Sequence, residues 1–302
     1  MTPANNLRGI LLMVASMAAF ALEDMFIKFA AADLPTGEIV LISGIFGVPF
    51  FGWLAARGGR GIWIRGALHP AVLVRAAGEM VGSLAYITAL ASVPLPTVSA
   101  VLQVMPLAVT LGAALFLKAP VGWRRWTAIA VGLAGVMLVI RPGFDGFRPE
   151  ALWVLVTVAG LAARDLATRV IPPHYSDAQI SAWGLMAVTA LGAGMMIFTG
   201  QHAVPDAWQT AGLAGMVVVG AVGYWAITAA SRTGEVSVVA PFRYTRLVFA
   251  IVLGFTVFAE PVDLITALGA CLIIGSGLYS FARERARTRS RAALHPTPQP
   301  AS

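Results

Sequence analysis

The chain has 302 residues, of which 58% are hydrophobic and only 12% are Asp, Glu, Lys or Arg, with a formal charge of +7. So little charge cannot keep a water-soluble domain of this size dispersed, and the excess base lies between apolar runs rather than on one face. Both features argue against a nucleic-acid partner and for a lipid solvent. Cys271 stands alone and offers neither a disulfide nor a metal set, and the chain has no G-x-x-x-x-G-K-[ST] loop for ATP and no H-E-x-x-H zinc pair.

Apolar stretches near the ~20 residues that cross a hydrocarbon core recur along the whole chain. The first, 9–31, follows Arg8 as a signal peptide would, but Glu23, Asp24 and Lys28 inside it mark a first span instead. The second, 36–56, lies between an acidic loop with Asp33 and Glu38 and a basic one with Arg57, Arg60 and Arg65. The third, 71–91, carries Arg75, Glu79 and Tyr86; the fourth, 94–117, holds Gln103, Met105 and Pro106 and ends at Lys118. Arg124 and Arg125 open the fifth, 123–140, and the sixth, 151–171, contains Arg164, Asp165 and Arg169.

The seventh, 179–200, is almost wholly apolar, and the eighth, 208–230, holds Tyr224 and Trp225. The ninth, 235–258, carries Pro241, Arg243, Tyr244 and Arg246, and the tenth, 263–282, follows Glu260 and Asp263. From Arg283 the chain turns arginine-rich and then proline-rich at Pro296, Pro298 and Pro300, which predicts a disordered tail resting on anionic lipid. Basic residues after the second span, after the fourth and in the tail place both termini in the cytoplasm. The loops with His174 and Asp177, and with Arg232 and Glu235, are balanced in charge. Trp53, Trp63, Trp123, Trp126, Trp153 and Trp208 fall at segment ends and read as interfacial anchors.

Shifting the chain by 141 positions aligns Ala18 with Ala159, Asp24 with Asp165, Lys28 with Arg169, Ile39 with Ile180, Gly82 with Gly223 and Pro120 with Pro261. Five spans per repeat is an odd number, so the halves enter the membrane in opposite orientations. Loop charge inverts with them, Lys118, Arg124 and Arg125 corresponding to the acidic loop of Glu260 and Asp263. The expected fold is an all-α integral membrane protein of ten transmembrane helices in two inverted five-helix repeats, 9–140 and 151–282, with 283–302 as tail. Such halves can rock around a central site, which is how many carriers work. A membrane scaffold without transport is the reading from another class.

Each ionisable group inside a span costs about 2.5–3.5 kcal/mol on insertion scales, so these groups face a bundle interior or a watery cavity. Asp24 with Lys28, Asp165 with Arg169 and Arg75 with Glu79 are spaced i,i+4, which predicts pairs on one helix face. Snorkelling of the three bases to the interface is the alternative. Inversion would put Glu23, Asp24 and Lys28 at the periplasmic mouth and Arg164, Asp165 and Arg169 at the cytoplasmic one, as two gates. Arg243 and Arg246 lie too deep to snorkel, and prolines in the fourth and ninth spans free carbonyls for a cavity. Gln103, Arg243, Tyr244 and Arg246 are the expected substrate contacts, with Glu79 and with Tyr86, Tyr224 and Trp225 as aromatic surface. Gly132, Gly135, Gly275 and Gly277 read as close helix contacts.

Met17-Ala18-Ala19-Phe20 followed by Asp24 and Lys28, Leu102-Gln103 through Pro106-Leu107 to Gly122-Trp123-Arg124-Arg125-Trp126, and Ile140-Arg141-Pro142-Gly143 carry a family resemblance. The chain resembles the bacterial drug/metabolite transporter superfamily, in its ten-helix branch with duplicated EamA domains. The family's Glu after the fourth helix is replaced by Lys118-Ala119, while Glu260-Pro261 keeps it in the second half. The resemblance implies gradient-driven or facilitated movement of a small metabolite across an inner membrane, with no cofactor. Arg164-Asp165-Leu166-Ala167-Thr168-Arg169 looks like the riboflavin-uptake subgroup. The central arginines would equally suit the carboxylate of an exported amino-acid-like or organic-acid metabolite.

Overall fold

The structure is a computed structural model that describes residues 3–62, 67–143, 147–233 and 235–294; Trp63, Arg65 and the tail prolines lie outside the described residues. Hydrocarbon offers an unpaired backbone amide no partner, so chain at membrane depth closes its own hydrogen bonds as helix. The helices are α1 (Pro3–Asp33), α2 (Thr36–Arg57), α3 (Pro70–Ser92), α4 (Leu95–Leu102), α5 (Met105–Phe116), α6 (Trp123–Ile140), α7 (Leu152–Thr168), α8 (Asp177–Thr199), α9 (Ala207–Thr233), α10 (Val236–Val239), α11 (Thr245–Phe258) and α12 (Leu264–Leu294). Among the described residues they supply ten stretches long and apolar enough to cross a membrane, α4 with α5 forming the fourth and Ala240–Phe258, which includes α11, the ninth. The protein is therefore a multi-pass membrane protein.

One boundary departs from expectation. α12 stays helical as far as Leu294, beyond Arg283 where a disordered tail was expected. Its continuation Ala282-Arg283-Glu284-Arg285-Ala286 consists of good helix formers that extend an existing helix at little cost.

The packing shows the inverted repeat directly. α1 lies against α9, α3 against α7, α2 against α8, α6 against α12 and α4 against α11. Exchanging the halves turns the α1–α9 contact into the α7–α3 contact and maps the other three pairs onto themselves, as a pseudo-twofold in the membrane plane requires. Local geometry repeats as well. Lys118 and Ala259, 141 positions apart, both take left-handed backbone with φ of 50° and 52°. The next residues close matching turns, the Ala119 N–H donating to Ala113 O at 3.0 Å and the Glu260 N–H to Gly254 O at 2.9 Å.

Small residues bring the paired helices to backbone contact. A Cβ on Gly160 would lie 2.7 Å from the Gly82 nitrogen, and one on Gly78 the same distance from the Gly160 oxygen. Cβ atoms on Gly135 and Gly269 would each approach the other's carbonyl at 2.7 Å. Gly132 and Gly277 accommodate Leu107 and Tyr244, but Gly275 faces open space and makes no close contact. Trp53, Trp123, Trp126, Trp153 and Trp208 are exposed.

Candidate functional site

Both broken spans break at a proline. Pro106 lies in the first turn of α5 and Pro241 in the first turn of the 3-10 stretch Ala240–Tyr244 that leads into α11. Lacking an N–H, proline cannot continue the preceding helix's ladder. Gln103, Arg243 and Tyr244 line a cavity at these interruptions, and the Gln103 amide donates to Arg243 O at 3.5 Å.

Two cavities, of about 450 and 580 Å³, share Phe20, Tyr86, Arg164 and Arg246 as a common wall. The smaller is lined by Glu23, Arg75, Glu79 and a group of rings, with Phe51 and Tyr224 edge-on at 4.6 Å between centroids. The larger is lined by Gln103, Asp165, Arg169, Arg243 and Tyr244. Basic residues outnumber acidic ones around the larger cavity, whereas the smaller one is balanced.

The shared wall is built from two ion-pair clusters. Asp24, 1% exposed, accepts from Arg246 Nη2 at 2.8 Å on both oxygens and from Nε at 3.2 Å on one of them. The Tyr86 hydroxyl donates to Asp24 and accepts from Arg246 Nη2 at 2.8 Å, and the Arg246 guanidinium lies over the Phe20 ring at 5.6 Å. In the second cluster Glu79 lies between Arg75 at 3.4 Å and Arg164 at 3.1 Å, and Arg164 also reaches Asp165 at 2.9 Å. Arg75 Nη1 donates to Ile180 O at 3.0 Å and its Nε to Thr168 Oγ1 at 3.1 Å, fixing the guanidinium between α7 and α8.

Of the three expected i,i+4 pairs, only Arg75 with Glu79 forms. Asp24 turns inward to Arg246 rather than to Lys28, whose ammonium instead meets Glu260 at 3.0 Å. Asp165 pairs with its neighbour Arg164, and Arg169 has no carboxylate within ion-pair distance among the described residues. For Asp24 and Lys28 a segment packed alongside offers a partner that spacing along one helix cannot reveal. Trp225, 63% exposed, lies on the outer face of α9 and lines neither cavity, whereas the adjacent Tyr224 does.

The repeat also isolates Glu23. Its equivalent is Arg164, which meets Glu79, but the equivalent of Glu79 is Gly220, and a Cβ there would touch the Glu23 carboxylate at 2.6 Å. Glu23 thus faces the smaller cavity with no basic side chain within ion-pair distance among the described residues. Phe50, Phe51, Ser43 and Ser181, which also line this cavity, carry no sequence signal that separates them from lipid-facing residues.

The profile of the EamA-like transporter family matches this chain twice, over residues 7–141 and 148–281. A riboflavin transporter of Rhizobium johnstonii is 28% identical over 96% of this chain and 96% of its own length. A pseudopaline exporter of Pseudomonas aeruginosa is 25% identical over 88% and 93%, and an S-adenosylmethionine uptake transporter of Rickettsia prowazekii 21% over 94% and 96%. A solved crystal structure covers 95% of this chain and 99% of its own with a TM-score of 0.57 at 18% identity, a likeness of fold alone.

Proposed function

Because the chain belongs to the EamA-like transporter family, and is thus a transporter rather than an enzyme, we propose that it is a secondary or facilitative carrier taking up a riboflavin-like metabolite. In this reading it lies in a bacterial-type inner membrane with both termini cytoplasmic, and its working halves are 9–140 and 151–282. The observation that carries it is the wall of Phe20, Tyr86, Arg164 and Arg246 between two cavities, with Asp24 held by Arg246 on the smaller cavity's side. Charged groups held there without lipid contact mark a path that cargo crosses as the partners re-pair. Phe20, Phe51 and Tyr224 give the smaller cavity ring surface suited to a flat heterocycle, and Ser43 and Ser181 add hydroxyls for a polyol chain.

Purified carrier in liposomes is expected to give saturable riboflavin flux, and its expression to rescue a riboflavin auxotroph at low vitamin. A scaffold would move nothing from a broad metabolite panel. Absence of rescue with confirmed membrane expression would end the riboflavin reading.

The second reading, export of an amino-acid-like or organic-acid metabolite, is favoured by two lone charges. Glu23 offers a carboxylate to an ammonium group, and Arg243 on the other side of the wall has no carboxylate within ion-pair distance among the described residues. The readings separate by substitution. With a zwitterionic cargo, Glu23→Gln and Arg243→Gln should each raise KM at least about tenfold, the effect of losing one charge-assisted hydrogen bond of about 1.5–3 kcal/mol. With a neutral flavin, flux measured in the same liposomes should change about threefold or less.

A further inference from the structure

The repeat allows the two mouths of the bundle to be compared position by position. An odd number of crossings separates the end of α1 from the end of α7, so Lys28 marks one mouth and its equivalent Arg169 the other. At the Lys28 mouth the ammonium pairs with Glu260 at 3.0 Å and donates to Val93 O at 2.7 Å. The second Glu260 oxygen accepts from the N–H of Leu95, the first residue of α4, at 2.8 Å. This contact fastens α1, the α3–α4 corner and the end of α11 together. At the same mouth Arg141 pairs with Asp263, joining the end of α6 to the start of α12. The hydrogen bond from Arg141 holds the Asp263 carboxyl at about 2, despite partial desolvation, so this tie stays charged at neutral pH.

At the other mouth the equivalents of Glu260, Asp263 and Arg141 are Ala119, Gly122 and Ala282, which cannot form either pair. The backbone is nonetheless the same, since Ala119 and Glu260 occupy matching turns after left-handed residues. Ala119 packs on the cluster of Val109, Ala113, Ala162 and Leu166, within a turn of Arg169. Arg169 itself lines the larger cavity, together with Ser280 near the C-terminal end of the crossing part of α12.

We propose that Lys28–Glu260, reinforced by Arg141–Asp263, is a one-sided latch. It shuts the Lys28 mouth in the empty carrier, and because the repeat-equivalent positions at the opposite mouth, Ala119 and Gly122, carry no acid, the resting carrier opens at the Arg169 face. Equivalent latches at both ends would balance the two states, whereas a latch at one set of repeat positions biases the equilibrium; the Arg75–Glu79–Arg164 cluster ties α3 to α7 on the Arg169 side but leaves the larger cavity lined by Arg169 and Ser280. The carrier reading supplies the context for this latch, but its test needs no cargo, so failure of one leaves the other standing.

The measurement is the rate at which a soluble maleimide labels single cysteines in purified carrier, with the exposed Cys271 replaced by Ser. Ile27→Cys reports from the buried position beside Lys28 on the smaller cavity's wall, and Ser280→Cys reports from the larger cavity. Glu260→Gln is expected to speed labelling of Ile27→Cys about tenfold and slow that of Ser280→Cys, within the range typical of coupling between states. Lys28→Gln, which removes the other member of the pair, should speed labelling of Ile27→Cys to a similar degree. Ala119→Glu gives Arg169 a partner and should slow labelling of Ser280→Cys about fivefold. Unchanged rates in a monodisperse Glu260→Gln carrier overturn the latch. Should that variant not survive purification, unchanged Ser280→Cys labelling in Ala119→Glu alone does the same.

Discussion

Asp24→Ala is expected to destabilise the folded bundle by about 3–5 kcal/mol, the range for removing one partner of a buried ion pair, and to abolish flux. Asp24 is 1% exposed and receives three hydrogen bonds from Arg246 and one from Tyr86. Truncating it leaves the Arg246 guanidinium without a counter-charge in a medium that cannot solvate it. The opposing contribution is that removing both charges together is often nearly neutral, because desolvating the pair costs about what its attraction returns. The double variant Asp24→Leu with Arg246→Leu should therefore recover most of the stability in detergent unfolding while remaining inactive in liposomes. Transport at the parent rate in that double variant would reduce the pair to scaffolding and remove the wall from the proposed path.

Gly160→Val is the second large effect. α3 and α7 touch backbone to backbone here, and the added Cβ would lie 2.7 Å from the Gly82 nitrogen and 3.0 Å from the Gly78 oxygen. Backbone atoms cannot rotate aside as a side chain does, so the helices must separate. Separation would stretch the contact between Glu79 on α3 and Arg164 on α7. Overpacking of this kind costs about 1–3 kcal/mol and more where the backbone must move, and the expected outcome is loss of the monodisperse species on size-exclusion chromatography after mild heating. Gly275→Ala is the control: nothing lies within 4 Å of its added Cβ, and helix propensity predicts a gain of about 0.5–1 kcal/mol. Equal behaviour of the two variants would mean that the α3–α7 contact does not hold the halves together.

Span number, the 141-residue repeat and its inversion were legible in the sequence because they follow from rules that act at each position separately: lipid demands apolar helix, and loop charge sets direction. The proline breaks were legible for the same reason. The partners of the buried charges were not. The i,i+4 rule describes a helix surface in water, whereas Asp24 finds Arg246 across 222 positions of sequence. Lys28 is drawn instead to the carbonyls left open at the C-terminal end of α3 and to Glu260. Trp225 was misplaced beside Tyr224 because successive helical residues differ by about 100° in direction, so only one of them can face the cavity. The isolation of Glu23 was in principle readable, since aligning the repeats puts Gly220 opposite Glu79, but its meaning depends on knowing that α1 packs on α9.

The pairing of α1 with α11 has a consequence for biogenesis. Asp24 enters the membrane 222 residues ahead of the arginine that neutralises it, an interval on the order of 10–40 s at ordinary translation speeds. During that wait the first helix must stay where water or the insertion machinery can still reach it. The Asp24–Arg246 contact can therefore form only after α11 has been made, so this part of the bundle is completed from the far end of the chain.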